Sequence, residues 1–237
     1  MFRTFLASTL LLAYLPAHAD DIRIQTTASS QSDLQRVARD MSAAFGYKPL
    51  NPAEALGLLG FRIDALASYT ETENPGAWRS ITGDRFNELT LLGVAVGKGF
   101  PFGLDFGAFA ADVVDTNASL FGAEVRYAFA EGGIIAPALG LRAGYTKLTG
   151  ADDLEFSTRS LDVSISKGFT LLTPYVGAGR VWGKLDPEAG IALNEEEANE
   201  NKLFAGVRIS LALLKIVLEA DNTGDNTSYN LRVGFGL

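Results

Sequence analysis

Residues 227–237 have the sequence TSYNLRVGFGL, and apolar side chains occupy every second position of this stretch. One face carries Tyr229, Leu231, Val233, Phe235 and Leu237, and the other carries Asn230, Arg232, Gly234 and Gly236. Successive side chains of a β-strand point to opposite faces, so one face meets apolar surroundings and the other a polar or crowded space. A length of about 9 to 11 residues with aromatic residues near both ends is typical of a strand that crosses a bilayer at a tilt.

The N-terminus predicts export. Arg3 supplies a positive charge, residues 5–15 form an apolar run too short to span a membrane as a helix, and Ala17-His18-Ala19 is a small-x-small cleavage site before Asp20. We therefore expect a cleavable signal peptide over 1–19 and a mature chain that begins near Asp20.

Composition excludes several classes of protein. After the signal, no uninterrupted apolar run of roughly 18 residues could serve as a membrane helix. The chain has no Cys, which removes disulfides, thiolate metal sites and a lipoprotein anchor. The formal net charge of -8 becomes more negative when Arg3 is removed, and such a chain does not suit nucleic acid, whose binding depends on neutralised phosphates.

The first mature segment, residues 20–56, differs from the rest. Its apolar residues recur at helical spacing and predict an amphipathic helix over 33–45, with Leu34, Val37, Met41 and Phe45 on one face. Ser32 with Gln35 resembles a capping box, and Gly46 stands where a helix stop is expected. Residues 47–56, with two prolines, predict an extended connector.

From residue 57 onward the apolar period is two, interrupted by Gly, Asn and Asp clusters at regular intervals. This pattern predicts an all-β fold, a transmembrane antiparallel up-and-down barrel of about ten strands, with eight to twelve as the range. The predicted strands are 58–70, 85–98, 102–114, 119–129, 134–147, 157–168, 173–183, 202–211, 214–222 and 227–237.

The predicted connections alternate between short turns and longer or more polar loops, as periplasmic turns and external loops do in such barrels. The acidic stretch 184–201 is expected to be the largest external loop. Two aromatic girdles agree with this orientation. The external one comprises Tyr69, Tyr145, Trp182 and Tyr229, and the periplasmic one Phe102, Phe129 and Phe235.

Strand parity predicts which charged residues face the lumen. The set contains six basic and six acidic side chains: Arg62, Asp64, Asp105, Glu124, Arg126, Arg142, Asp162, Lys202, Arg208, Glu219, Asp221 and Arg232. One interpretation is an ion-paired filling with no passage, because buried charges must be paired. The others are a narrow polar channel whose selectivity these residues set, and a wider, partly apolar conduit. The parity of strand 85–98 stays ambiguous.

Two main roles are open for the N-terminal helix, and disorder or a partner-binding helix are the remaining alternatives. Leu34, Val37 and Met41 could pack on the periplasmic rim as a cap, or the helix could enter the lumen as a plug that moves to open a path.

Residues for catalysis or metal binding are scarce. The one histidine, His18, lies in the signal peptide, so the mature chain has neither a Ser-His-Asp triad nor a His ligand for zinc. The stretch 221–226 has the composition of a calcium loop but lacks the Glu that an EF-hand places after it. We predict no enzyme, no cofactor and no metal site.

The signal, the alternating strands and the final strand YNLRVGFGL at 229–237 together resemble the small outer-membrane β-barrel proteins of Gram-negative bacteria. The segment 44–54 is similar to the pre-barrel segment of uncharacterised members. The resemblance implies outer-membrane lipid and lipopolysaccharide as surroundings. It also implies that the barrel-assembly machinery reads the last strand, although that strand ends in Leu237 instead of an aromatic residue.

The function expected from the sequence is a non-catalytic barrel of structural or narrow-channel type, with a small solute as a possible ligand. A transporter of small hydrophobic compounds gated by the N-terminal helix is one alternative. A surface adhesin or receptor that uses the 184–201 loop is another.

Overall fold

A computed structural model describes residues 22–24, 30–48, 50–133, 135–151, 153–188 and 191–236. The predicted signal peptide and Leu237 lie outside the described residues. Two α-helices and one 3-10 turn accompany the strands: α1 (Gln31–Phe45), α2 (Pro75–Thr82) and the turn Pro101–Gly103. No helix of the described part is both long and apolar enough to cross a membrane.

Ten antiparallel strands form a closed barrel in which each strand pairs with its neighbours in sequence and β1 pairs with β10. This confirms the predicted fold and strand count. The strands are β1 (Phe61–Glu71), β2 (Glu88–Gly99), β3 (Leu104–Val113), β4 (Ser119–Ala130), β5 (Ala138–Thr149), β6 (Leu154–Ser166), β7 (Leu172–Pro187), β8 (Glu196–Leu211), β9 (Leu214–Thr223) and β10 (Asn226–Gly236).

The largest difference from the predicted strands concerns the stretch 184–201. Strands β7 and β8 are 16 residues long each, and their pairing extends to Leu185 and Glu196, so most of the predicted loop is sheet. Cross-strand pairing outweighed the acidic composition there. The longest connection is instead 72–87, between β1 and β2, and it contains α2.

The two ends of the barrel are distinguished by two connections. We call the end that carries 72–87 and 188–195 the long-loop end, and the opposite end, where β1 begins and β10 ends, the short-turn end. The other connections at the long-loop end are as short as the turns opposite, with only 224–225 between β9 and β10. The predicted alternation in loop length therefore rests on these two loops.

Helix α1 lies at the long-loop end. The side-chain amide of Gln31 donates to the Asn194 carbonyl (2.9 Å) and to Glu196 at the start of β8. At its other end, the Phe45 carbonyl accepts from Thr146 of β5 (2.8 Å), whose side chain faces the lumen. Helix α1 thus lies at the end opposite to the start of β1, and its apolar face packs on inward-facing residues of the barrel wall. Which end faces the periplasm stays a prediction.

The boundaries of α1 follow from its caps. Ser30, not Ser32, is the N-cap, and its hydroxyl accepts from the Asp33 amide (3.2 Å). Gly46 is the C-cap, as the sequence predicts, and its amide donates to the Ser42 carbonyl (3.1 Å). A side-chain oxygen at the N-cap satisfies one of the helix's unpaired amides, and this fixes the start of the helix.

Helix α2 was not predicted, and it packs on α1 at the long-loop end. The fully buried Asp40 of α1 accepts from the Trp78 indole (3.0 Å), the Asn74 side chain (2.9 Å) and the Asn226 side chain (2.9 Å). One carboxylate thereby connects α1, the β1–β2 loop and the start of β10.

Candidate functional site: the occupied lumen

The half of the lumen beside α1, toward the long-loop end, is apolar. Leu34, Val37, Met41 and Phe45 of α1 are at most 1% exposed. They belong to one cluster with inward-facing residues of the wall, namely Leu89, Leu91, Val113, Leu120, Leu148, Phe156 and Leu185. The barrel and the helix thus share a hydrophobic core, which a hollow pore does not have.

The other half, toward the short-turn end, contains the charged side chains. All twelve charged residues assigned to the lumen by strand parity lie on the inward face, and eleven of them are buried; Arg208 is half-buried. The parity of β2 is also clear here, because Gly93, Ala95 and Gly97 face inward. An added Cβ at Gly97 would lie 2.5 Å from Arg62 Nε, so the bare backbone leaves space for that arginine.

Four of the five arginines that the sequence expected to meet lumen carboxylates do so. Arg62 donates to Asp64 and to Glu124 on opposite sides, at 2.8 Å each. Arg142 donates to Asp162 at 2.6 and 3.0 Å, and Arg126 lies 3.4 Å from Asp105. Arg232 Nε lies 3.6 Å from Asp64.

The remaining expected pairs are different in the structure. Arg208 pairs with Glu54 (2.6 Å), which lies inside the lumen and not on a strand of the wall, and Glu219 accepts from the Tyr175 hydroxyl (2.7 Å) instead of an arginine. These partners differ from the expected ones because the lumen also contains the chain segment between α1 and β1. We call residues 47–48 and 50–56 the lumen segment.

The lumen segment crosses the charged half from α1 to β1, and polar contacts line its path. Near α1, the Lys48 ammonium lies 3.3 Å from Asp221 and donates to Ser228 (2.8 Å). Lys202 donates to the Tyr47 carbonyl (2.6 Å). The Leu50 amide donates to Glu219 (2.9 Å).

Farther along, the lumen segment reaches the wall near the short-turn end. The side chain of Asn51 accepts from Arg232. Arg126 donates to the carbonyls of Pro52 (2.6 Å) and Glu54 (2.9 Å). The Leu56 amide donates to Asp105 (3.1 Å). Backbone groups of the segment, which would be costly to bury unpaired, thus pair with buried charges of the wall, including Arg126 and Asp105, which also lie close to each other.

Inward-facing glycines make room for this filling. A Cβ at Gly144 would lie 2.8 Å from Tyr47 Cβ, and a Cβ at Gly183 would clash with the Ser42 hydroxyl of α1. Internal space is correspondingly small. The cavity beside Tyr47, Asn51 and Arg232 measures ≈ 20 Å³, and the one beside Ala53 and Arg126 ≈ 10 Å³.

The outer face of the barrel is apolar around its circumference. Large aliphatic and aromatic side chains there are about 40–60% exposed, including Leu92, Val94, Phe106, Phe121, Val163, Val176, Leu203 and Leu218. A patch of this extent does not occur on monomers in water, whereas lipid covers it in a membrane barrel. The chain is a transmembrane β-barrel of the outer-membrane type. The predicted girdle residues Tyr69, Tyr145, Trp182, Tyr229, Phe102, Phe129 and Phe235 are all on its exposed surface.

Solved structures to which the chain is similar are outer-membrane barrels. The N-terminal β-barrel domain of Pseudomonas aeruginosa OprF has 15% identity and a TM-score of 0.36 over 76% of this chain and 99% of that one. KdgM porin has 11% identity and a TM-score of 0.38, over 73% of this chain and 98% of that one. The translocator domain of autotransporter NalP from Neisseria meningitidis has 12% identity and a TM-score of 0.36, over 91% of this chain and 98% of that one. No family model and no curated protein matches the chain.

The sequence did not identify the lumen segment as part of the site. Tyr47, Lys48, Asn51 and Glu54 were assigned to a connector, because two prolines and the loss of periodicity indicate only an extended chain. The one available signal was the surplus of inward-facing side chains without an obvious wall partner, such as Lys202 and Glu219.

Proposed function

We propose that the protein is a non-catalytic outer-membrane barrel that its own N-terminal region keeps closed, with a structural role in the envelope. The observation that carries this proposal is the path of residues 30–48 and 50–56, which lead through the lumen from the long-loop end toward the short-turn end. A site for one water needs roughly 10–15 Å³, so each of the two cavities described above has room for about one water.

The cost of emptying the lumen supports a closed resting state. Leu34, Val37, Met41 and Phe45 are essentially unexposed. Burial of each such side chain stabilises by about 1.5–3 kcal/mol, so exposing all four would cost roughly 6–12 kcal/mol. That figure is comparable to the stability of a whole domain, about 5–15 kcal/mol. Helix α1 is thus better described as core than as a loosely held gate.

The proposed absence of catalysis rests on how the charges are used. An acid–base site needs a titratable group that can reach a substrate, whereas the lumen carboxylates contact arginines, lysines or backbone amides of the same chain. The chain also has no Cys and, beyond the predicted signal peptide, no His. A purified barrel that hydrolysed ester, peptide or phospholipid substrates would contradict this part of the proposal.

Ion conductance tests the closed state directly. We expect the full-length protein in planar bilayers to show no stable conductance. A lock is available, because a Cβ at Gly140 would lie 3.4 Å from Ala53 Cβ, close to the roughly 3.5–4.5 Å of a disulfide. In Ala53→Cys/Gly140→Cys the chain's only two cysteines would join the lumen segment to β5. Ala53→Cys alone, oxidised in the same way, is the control.

A second candidate function is a conduit for polar solutes that opens when the lumen segment moves. It is favoured by the contacts of the lumen segment, which include hydrogen bonds and ion pairs to the charged wall. Conductance in the unlocked protein that the oxidised double variant abolishes and reduction restores would establish this second function in place of the first. Conductance that the lock leaves unchanged would contradict both.

The other two alternatives have less support. A hydrophobic compound would have to cross the charged half of the lumen, where Arg62, Glu124 and Arg142 are buried. An adhesin would need an extended surface loop, but β7 and β8 take up most of the stretch predicted as that loop, and the Asn194 carbonyl accepts from Gln31 of α1.

A further inference from the structure

Four basic residues form a patch on the outer wall near the long-loop end. We call Lys147 of β5, Arg159 of β6, and Arg180 and Lys184 of β7 the basic patch. All four side chains point outward. Lys147 and Lys184 both pair with Ser157, two residues from Arg159 on the same face. Because neighbouring strands are about 5 Å apart, Lys147, Arg159 and Lys184 lie close together, and Arg180 follows on the same face of β7, four residues from Lys184.

The patch is a local exception on an acidic protein of net charge -8. Outward positions near the long-loop end of the other strands carry no basic side chain among the described residues. They are acidic or neutral: Glu71, Glu88, Asp112, Ser119, Glu197, Asn199, Asn222 and Thr227. A general attraction to anionic surfaces would not require the charges to be gathered on three adjacent strands.

The cations of the patch are available to a ligand. Within the described residues, Arg159 and Arg180 make no hydrogen bond or ion pair, and both are exposed. Lys147 lies 3.4 Å from Glu155, and Lys184 lies 2.8 Å from Glu195 and 3.9 Å from Asp186. These three pairs are exposed to solvent, where an ion pair contributes about 0–1 kcal/mol and is readily exchanged.

An apolar groove of ≈ 800 Å³ begins directly below the patch on the same outer wall. Its floor includes the small side chains of Ala178, Ala205 and Ala220, and Val163, Val176 and Leu203 flank it. Ala178 is two residues from Arg180 on the same face of β7. The groove therefore runs from the basic patch into the lipid-facing surface.

We propose that the long-loop end is external, as in the orientation predicted from the sequence, and that the basic patch and the groove together bind one phosphorylated lipid of the external leaflet. This proposal rests on the proposed outer-membrane function. The phosphates of the lipid contact Arg159, Arg180 and the two lysines, and an acyl chain lies in the groove. Arginine forms strong charge-assisted hydrogen bonds with phosphate oxygens. Its guanidinium is weakly hydrated, which suits a site at the membrane–water interface. Tyr145 and Trp182, which pair with Arg159 across the strands, occupy the headgroup level as interfacial aromatics do.

Native mass spectrometry of the full-length protein with bisphosphorylated lipid A tests the site. We expect Arg159→Gln/Arg180→Gln to weaken binding at least about tenfold, since two charge-assisted contacts are lost. The matched control is Arg36→Gln/Arg39→Gln, which removes two arginines of α1 at the same end, both about half exposed. The control should bind like the wild type.

Two further arms separate the lipid from other sources of the same chemistry. Ala205→Phe, which fills the groove while keeping every charge, should also weaken binding of the lipid. Dephosphorylated lipid A should bind weakly to every variant, and excess inorganic phosphate should not displace the bound lipid. Equal binding by Arg159→Gln/Arg180→Gln and its control, or full displacement by inorganic phosphate, would overturn the proposal. Each variant's folded fraction is checked by its resistance to unfolding in detergent, so that a loss of binding is compared among folded barrels.

Discussion

The two halves of the lumen are filled by different kinds of contact. Beside α1 the wall and the helix bury Leu, Val, Phe and Met against one another, as a soluble domain does. Beside the lumen segment, arginines, carboxylates and backbone amides satisfy one another. An apolar filling is stable when its side chains pack closely, whereas a charged filling is stable only when its buried charges have partners. We therefore expect the charged half to be the less tolerant of single changes.

The largest effect is expected in the charged half. Arg142→Met leaves Asp162 buried and unpaired and should destabilise the barrel by about 3–5 kcal/mol in unfolding from lipid vesicles. The double variant Arg142→Met/Asp162→Leu removes both charges and should recover much of that loss. If the double variant loses as much as the sum of both single variants, Arg142 and Asp162 are not coupled and the paired filling is wrong.

The apolar half should respond to volume alone. Met41→Ala removes a fully buried side chain of α1 and should cost about 2–5 kcal/mol, depending on how far the cavity collapses. Met41→Leu, which keeps the volume, should cost less than about 1.5 kcal/mol. A negligible effect of Met41→Ala on the same unfolding measurement would show that α1 does not contribute to the core.

The outer face should distinguish lipid from lumen by register. Val233 faces outward and the neighbouring Arg232 inward. Val233→Arg places a charge in lipid and should cost roughly 2–4 kcal/mol if the residue lies near the bilayer midplane. A neutral outcome, together with labelling of position 232 by a lipid-soluble probe, would mean that the faces are reversed.

The smallest effect concerns the start of α1. Ser30→Ala removes the N-cap oxygen and should cost about 1 kcal/mol. Ser32→Ala is the control, since Ser32 does not cap the helix, and it should cost less. The reverse order would restore the capping box that the sequence suggests.

The sequence predicts the wall of the barrel well because strand parity is a local property. An alternation such as that of residues 227–236 assigns each side chain to lipid or lumen without any knowledge of its neighbours. Parity becomes uninformative where both faces are apolar, as at Leu91 and Leu92, because there the lumen contains α1 instead of polar groups. A polar inner face could not be assumed.

The route of the lumen segment could not be predicted for a different reason. Lys48, Asn51 and Glu54 contact residues more than 150 positions away, such as Asp221, Arg232 and Arg208. No period or motif in a short stretch encodes those contacts. The place of α1 could not be predicted either, since its apolar face indicates a need for a partner but not where the partner lies.

We expect the N-terminal region, which passes through the lumen, to present the polar face of α1 at the cell surface, with the long-loop end external. A chain without Cys permits single-cysteine labelling of intact cells with a membrane-impermeant maleimide. Gln35→Cys lies on the exposed face of α1, and Gly133→Cys lies in a turn at the opposite end with open space around it. We predict that Gln35→Cys is labelled in intact cells and that Gly133→Cys is labelled only after the outer membrane is permeabilised. If labelling of Gln35→Cys required permeabilisation, as for Gly133→Cys, α1 would not lie at the cell surface.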